Sequence, residues 1–306
     1  MLLLTGATGY LGSAVAAALS ASDQRFRYLG RREASVLGAD WVPGDLFDIG
    51  AVAPDVFQDV SVVIHCAGLA HRAAPERDYD QVNVNASKTL AQLAKNAGVR
   101  HFIYLSSLNV VSAGSADPTA SSEVISQPAE DYARSKWLAE TALREICSND
   151  DMALTVIRPA LLFDKTLTAN LATLERVLAW WPFLLPETGC RSLVGRPDLV
   201  KLILACTEGR AGAPVGQPVI AATDGECYTA QSISRLLAPG RAQKAGAGFA
   251  MPLWLCQSAC RLLDLWRNAS QGSTGSALTA RHWCGATPQV IGWAPSLTLK
   301  TRLDSQ

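Results

Sequence analysis

The run Thr5-Gly6-Ala7-Thr8-Gly9-Tyr10-Leu11-Gly12 restricts this chain more than any other feature. It joins an apolar stretch, Met1 to Leu4, to an alanine-rich stretch, Leu11 to Leu19. The first reads as a buried strand and the second as a helix. Glycines spaced Gly-x-x-Gly-x-x-Gly allow a tight turn between them. The first amides of the helix have no intrahelical acceptor, so together with the helix dipole they suit an anion. A backbone that can come this close to a ligand at a strand-to-helix turn is suited to a pyrophosphate. Gly6, Thr8, Gly9, Tyr10, Leu11 and Gly12 are therefore the expected contacts of a dinucleotide.

The pattern downstream agrees. Phe26 to Leu29, Trp41-Val42, Val60 to His65, Val99 to Leu105 and Leu154 to Arg158 read as strands, with helices at Tyr79 to Ala97 and Asp131 to Cys147. Strands alternating with helices predict an α/β fold, a Rossmann-type doubly wound parallel sheet. Beyond Pro159 the alternation loosens. Helices are expected at Leu167 to Ala179, Asp198 to Cys206, Thr229 to Leu237 and Met251 to Trp266, with a short strand at Val219 to Ala222. The expected organisation is a cofactor-binding domain over residues 1–158, completed by about 195–223, with a smaller substrate lobe from 159–194 and 224–306.

The second strand ends Tyr28-Leu29-Gly30-Arg31-Arg32. A carboxylate there would hold an adenine ribose and repel a 2′-phosphate. Gly30 supplies none, while Arg31 and Arg32 offer guanidinium donors suited to phosphate, which favours NADP over NAD. Asp45, followed by Leu46, is expected at the adenine edge.

Tyr132-Ala133-Arg134-Ser135-Lys136 places a phenol and an ammonium four residues apart, on one helix face. A phenol titrates near ~10. A neighbouring cation and the positive nicotinamide of an oxidised cofactor are expected to lower that value, so that Tyr132 can move the proton that accompanies hydride transfer. Ser106-Ser107, at the end of the preceding strand, could hold a substrate oxygen beside it.

Composition narrows the partners. Lys plus Arg and Asp plus Glu both number 27, so no net field favours nucleic acid or an acidic membrane. The longest apolar stretch, Phe249 to Trp266, is broken by Gln257, Arg261 and Asp264 and is not expected to span a bilayer. Met1 runs directly into the first strand, so a cytoplasmic location is expected. None of the eight cysteines forms a Cys-x-x-Cys pair, and the four histidines do not join them in a zinc spacing. Reduced thiols and no metal are expected, with Cys256 and Cys260 packed on one helix face.

Taken together, Thr5 to Gly12, Asp45-Leu46, His65-Cys66-Ala67-Gly68, Val82-Asn83-Val84, Leu105-Ser106-Ser107, Tyr132 to Lys136 and Arg158-Pro159 resemble the NAD-dependent epimerase/dehydratase family of extended short-chain dehydrogenases. The resemblance implies that Ser107, Tyr132 and Lys136 are catalytic and that Lys136 also holds the nicotinamide ribose. It implies that Cys66, Ala67 and Gly68 line the cofactor and that Asn83 supports it. It also places Asn170 and Arg191 at a nucleotide diphosphate, Arg191 standing seven residues before Asp198-Leu199. Members acting on UDP-linked 4-keto-6-deoxy-N-acetylhexosamines in O-antigen synthesis are the most similar.

Leu108 and Asn109 follow Ser107 where dehydratases of this family carry acids, which argues against 4,6-dehydration. The expected activity is reduction of a UDP-4-keto-6-deoxy-hexosamine by NADPH. The alternatives are a UDP-sugar 4-epimerase with tightly bound NAD, a reductase of a non-sugar ketone, and a non-catalytic NADP-binding sensor. The resemblance also suggests a homodimer.

Overall fold

Three consecutive leucines open the sheet. In β1 (Leu2–Thr5), Leu2 and Leu4 face one apolar cluster and Leu3 faces the other, because side chains alternate across a strand. The same alternation divides Val62 and Ile64 from Val63, and Ile103 and Leu105 from Phe102 and Tyr104. A strand that is apolar on both faces needs cover on both, which is the condition of a parallel sheet clothed by helices.

The computed structural model describes residues 1–34, 39–70, 74–112, 117–148, 151–164, 169–180, 185–208, 218–237, 252–255, 258, 282, 284 and 293–303. After β1 come α1 (Tyr10–Ala21), β2 (Phe26–Gly30), β3 (Asp40–Pro43), β4 (Val62–His65) and α2 (Glu76–Tyr79). A π-helical turn, Asp80–Asn85, leads into α3 (Ala86–Asn96), so the single helix expected from Tyr79 to Ala97 is interrupted at Asn83. Next are β5 (His101–Leu105), α4 (Asp131–Ile146), β6 (Ala153–Pro159), β7 (Leu161–Phe163), α5 (Ala169–Trp180), β8 (Leu193–Gly195), α6 (Arg196–Thr207), β9 (Val219–Ala222) and α7 (Ala230–Leu237).

Seven strands form one sheet in the order β3-β2-β1-β4-β5-β6-β9, every pair parallel. Chain order reverses between β1 and β4, and the crevice beyond the carboxyl ends of two such strands is where ligands enter sheets of this kind. Helices α1 and α6 cover one face with Val15, Leu19, Leu199 and Ile203, while α3 and α4 cover the other with Leu90, Ala91, Ala139 and Leu143. A second, two-stranded parallel sheet, β7-β8, was not expected from the sequence. A third apolar cluster gathers Phe163, Leu171, Leu193, Tyr228, Ile233 and Leu299. Most of the expected helix Met251 to Trp266, with Cys256 and Cys260, lies outside the described residues. Among the described residues no helix is long and apolar enough to cross a membrane.

Candidate functional site

The glycine turn and the end of β4 meet at the crevice. Gly6 has φ +76°, and a Cβ there would lie 2.7 Å from the Ala67 amide nitrogen. A Cβ on Gly12 would overlap the Gly6 carbonyl oxygen. Gly9 donates its N–H to Gly6 O at 2.8 Å and stands at the head of α1 with no side-chain cap and no acid in the first turn. These amides and this close approach of backbones fit a dinucleotide pyrophosphate. Thr8, Gly9 and Tyr10 are exposed at the turn, and Leu11 packs against the core. Beneath, Thr5 Oγ1 bonds His65 Nδ1 at 2.6 Å, and His65 Nε2 bonds Ser87 Oγ at 2.8 Å. Burial, with the Lys136 charge, pushes His65 down to about 3, so the imidazole is a neutral tie between β1, β4 and α3.

Ser107, Tyr132 and Lys136 come together at the carboxyl end of β5. The Ser107 hydroxyl accepts from Asn109 N at 3.2 Å and hydrogen-bonds the Tyr132 phenol, lowering its proton affinity. Burial outweighs that, with Tyr79 adding to it, and pushes Tyr132 up to about 12. The lowered value expected from sequence is therefore not what the protein by itself sets. Lys136 Nζ donates to Leu105 O at 2.9 Å and lies 4.8 Å from the Tyr104 ring centroid. Burial brings Lys136 down to about 8, against upward pulls from Cys66 and Glu140. The Cys66 thiol is pushed up to about 12 by burial and stays neutral. A Cβ on Gly68 would lie 3.1 Å from Lys136 Nζ, so the backbone after β4 runs directly past the ammonium.

Asn83 holds these two parts together. Its Oδ1 accepts from Leu69 N at 2.8 Å, and its Nδ2 donates to Leu69 O at 3.0 Å and to Ser135 Oγ at 2.9 Å. Ser135 Oγ in turn donates to Tyr132 O at 2.8 Å. The π turn sets Asn83 into this position, and such turns recur at functional sites.

At the far end of β2, Arg31 and Arg32 are exposed, and Gly30 O accepts from Trp41 Nε1 at 2.9 Å. Asp45 accepts from Phe47 N at 3.1 Å, which caps the turn that contains Leu46. Asn170 lies in the first turn of α5, with its side chain outside the described residues. Arg191 exchanges two backbone hydrogen bonds with Tyr228, and burial lowers its guanidinium from the usual range. Burial lowers the His282 value, the Arg191 charge adds to that, and Glu130, the residue that precedes α4, opposes it.

Several neighbours gave no sequence signal. Glu140, one turn beyond Lys136, is bidentate to Arg158 at 3.0 and 2.6 Å and accepts from Ser106 Oγ at 2.5 Å, with both charged side chains fully buried. Ser106 thereby supports the core of the site, while Ser107 reaches Tyr132. Arg196 lies over the Tyr10 ring at 4.5 Å, donates to Tyr10 O at 3.1 Å and pairs with Asp164. Cys190, Cys227 and Cys284, which no spacing rule connects, have their Sγ atoms within 4.8 Å of one another. Scattered in sequence, these three cysteines are gathered by the fold, which brings three distant segments together.

The NAD dependent epimerase/dehydratase family matches residues 2–181. Over 98% of this chain and 92% of the relative, the sequence is 27% identical to a UDP-glucose 4-epimerase of Vibrio cholerae. It is 30% identical to sterol demethylase protein B of Methylococcus capsulatus, over 52% of this chain and 50% of that protein. Among solved structures, MoeE5 in complex with UDP-glucuronic acid and NAD superposes with a TM-score of 0.73 at 20% identity, covering 100% of this chain and 97% of that one.

Proposed function

Because the chain belongs to the NAD-dependent epimerase/dehydratase family, we propose that it moves a hydride at carbon 4 of a UDP-linked sugar and inverts that centre, as a 4-epimerase. The observation that carries this reading is the junction of Ser107, Tyr132 and Lys136 beside the glycine turn. The full-length likeness to a UDP-glucose 4-epimerase supports the choice of substrate.

In this reading the nicotinamide ring, when bound, supplies a reversible hydride acceptor. Gly6, Thr8, Gly9, Tyr10, Leu11 and Gly12 hold the pyrophosphate, and Asp45 and Leu46 border the adenine. Cys66, Ala67, Gly68 and Asn83 line the nicotinamide half. Lys136 holds the ribose and sets a positive charge beside the phenol. Tyr132 Oη takes the proton of the sugar's 4-hydroxyl and returns it after the ketone has turned over. Ser107 Oγ–H, held from behind by Asn109 N, orients the same oxygen. Arg191, with Asn170, receives the diphosphate, in a lobe built from 159–194 and 224–306 against the sheet unit of 1–158 and about 195–223. A cytoplasmic location and a homodimer remain part of the proposal.

Gly30, Arg31 and Arg32 favour a second reading, a 4-keto sugar reductase that consumes NADPH. Product analysis by mass spectrometry and NMR separates the two. Incubation with UDP-hexoses and UDP-N-acetylhexosamines should yield the 4-epimer with no net change in cofactor absorbance. Net loss of NADPH with a 4-keto substrate would select the reductase. UDP binding followed by calorimetry should weaken about tenfold or more in Arg191→Ala, as loss of a charge-assisted bond of roughly 1.5–3 kcal/mol requires. Absence of UDP binding by the wild type would sink both sugar readings and leave a non-sugar ketone as the substrate class.

A further inference from the structure

We propose that Cys190, Cys227 and Cys284 form a three-thiolate site for a zinc-type divalent cation that fastens the C-terminal segment beside Arg191. Cys227 lies 37 residues after Cys190 and 57 before Cys284, so the site exists only in the folded chain. Cys190 and Cys227 flank the Arg191–Tyr228 bridge, where two backbone hydrogen bonds hold the strands in register. Residue 282 docks on the same bridge, its amide donating to Cys190 O at 2.8 Å, and this brings Cys284 in two residues later. The Sγ atoms of Cys190, Cys227 and Cys284 all lie within 4.8 Å of one another, close enough to share one cation.

A disulfide joins two sulfurs, so any pairing leaves one of these three cysteines out. A cation bonds all three at once, and thiolate sets select borderline-soft ions such as Zn²⁺ over Mg²⁺ or Ca²⁺. Binding is a ligand exchange without electron transfer: three S–H protons leave for solvent and three S–metal bonds form. Cys227 is exposed and the other two are half-buried, which gives the ion an entry path and leaves the fourth position to water. Alternation along the strand puts Cys190 and Arg191 on opposite faces of the bridge. Fastening the cysteine face therefore fixes the backbone from which Arg191 extends.

The full chain, purified under reducing conditions without chelator and then desalted, should contain about one zinc per chain by elemental mass spectrometry. After zinc removal, Co²⁺ should restore occupancy with thiolate-to-cobalt charge-transfer bands, a readout that needs no variant. Cys190→Ser and Cys284→Ser should lose both signals while circular dichroism shows the fold retained, whereas Cys206→Ser, at a buried cysteine elsewhere, should keep them. A wild type with neither zinc nor cobalt bands overturns the proposal. Alkylation without reductant then tells a disulfide with one free thiol from three free thiols, both of them contrary results. Zinc retained in both Ser variants overturns it as well.

Discussion

Asn83 Nδ2 donates to Ser135 Oγ across 2.9 Å, and the same carboxamide closes both backbone bonds of Leu69. One side chain thus ties the segment after β4 to the helix that bears Tyr132 and Lys136. Asn83 is 1% exposed, and its bond to Ser135 Oγ is buried, so no water replaces that bond. Asn83→Ala should lower stability in urea unfolding by about 1–3 kcal/mol, since it removes the bond to the buried Ser135 hydroxyl and both bonds to the half-buried Leu69 backbone. Asn83→Asp should not rescue it, because a carboxylate has no N–H for Leu69 O or Ser135 Oγ. A loss below about half a kcal/mol, the range of ordinary surface changes, would show that the tie is not needed.

Tyr132→Phe removes only a hydroxyl. Turnover should fall ~10²–10⁴-fold, the usual contribution of a positioned acid or base, with cofactor affinity nearly unchanged. Ser107→Ala tests the same proton by another route. Its hydrogen bond lowers the Tyr132 value, so removing it should move the limb of the pH–rate profile assigned to Tyr132 to higher pH. An unmoved limb with reduced rate would restrict Ser107 to positioning the substrate.

The Arg158–Glu140 pair lies under the site with neither side chain exposed. Arg158 also donates to Pro118 O at 2.9 Å and Ala120 O at 2.8 Å. Arg158→Met leaves a buried carboxylate unpaired and should cost about 3–5 kcal/mol. Combining it with Glu140→Gln should cost clearly less than the sum of the two single changes, because the second change removes the stranded charge. Additive losses in chemical denaturation would deny the coupling.

His65 sets an acid sensitivity with a definite sign. Its folded value of about 3 lies below the unfolded value of 6.5, so the unfolded chain binds the proton first. The stability is fully present above pH 6.5 and falls as pH drops through that window toward 3. The slope is at most about 1.4 kcal/mol per pH unit for one group. His65→Gln, which cannot take up a proton, should show a smaller fall in Tm than the wild type between about pH 6.5 and 5. Parallel curves would mean that other groups control acid unfolding.

The parts legible in the sequence are those whose pattern is local. Leu2 to Thr5, Val62 to His65 and the glycines between strand and helix state their structure within a few residues. Tyr132 and Lys136 do so through helix spacing. The π turn at Asn83 was hidden inside one helical period, because an extra residue in a turn changes hydrogen bonding but not composition. Strands β7 and β8, three residues each, are too short to show alternation. Asp198 was legible only as a landmark after Arg191, yet its carboxylate accepts from Ser296 N at 2.7 Å and Leu297 N at 2.8 Å, across 98 and 99 residues. The cysteine cluster is of the same kind. Contacts at such range depend on the completed fold.

The proposed contacts at the end of β2 make a prediction about the two nicotinamide cofactors. Gly30 offers no carboxylate to grip a ribose 2′-hydroxyl or to repel a phosphate there, and its carbonyl is engaged by Trp41 Nε1 and Gly44 N. Arg31 and Arg32 follow, both exposed, so each contact they make with a phosphate is screened by water and salt. The wild type should therefore hold NADPH at least as tightly as NADH in a fluorescence titration. The double variant Arg31→Ala/Arg32→Ala should weaken NADPH by about tenfold, two exposed charge-assisted contacts together, and leave NADH unchanged. Raising salt should shrink the difference in the wild type and do little to the variant. An equal loss for both cofactors, or none, would make the arginines a solvated basic turn. The reductase reading would then lose the observation that favours it, and the epimerase would stand alone.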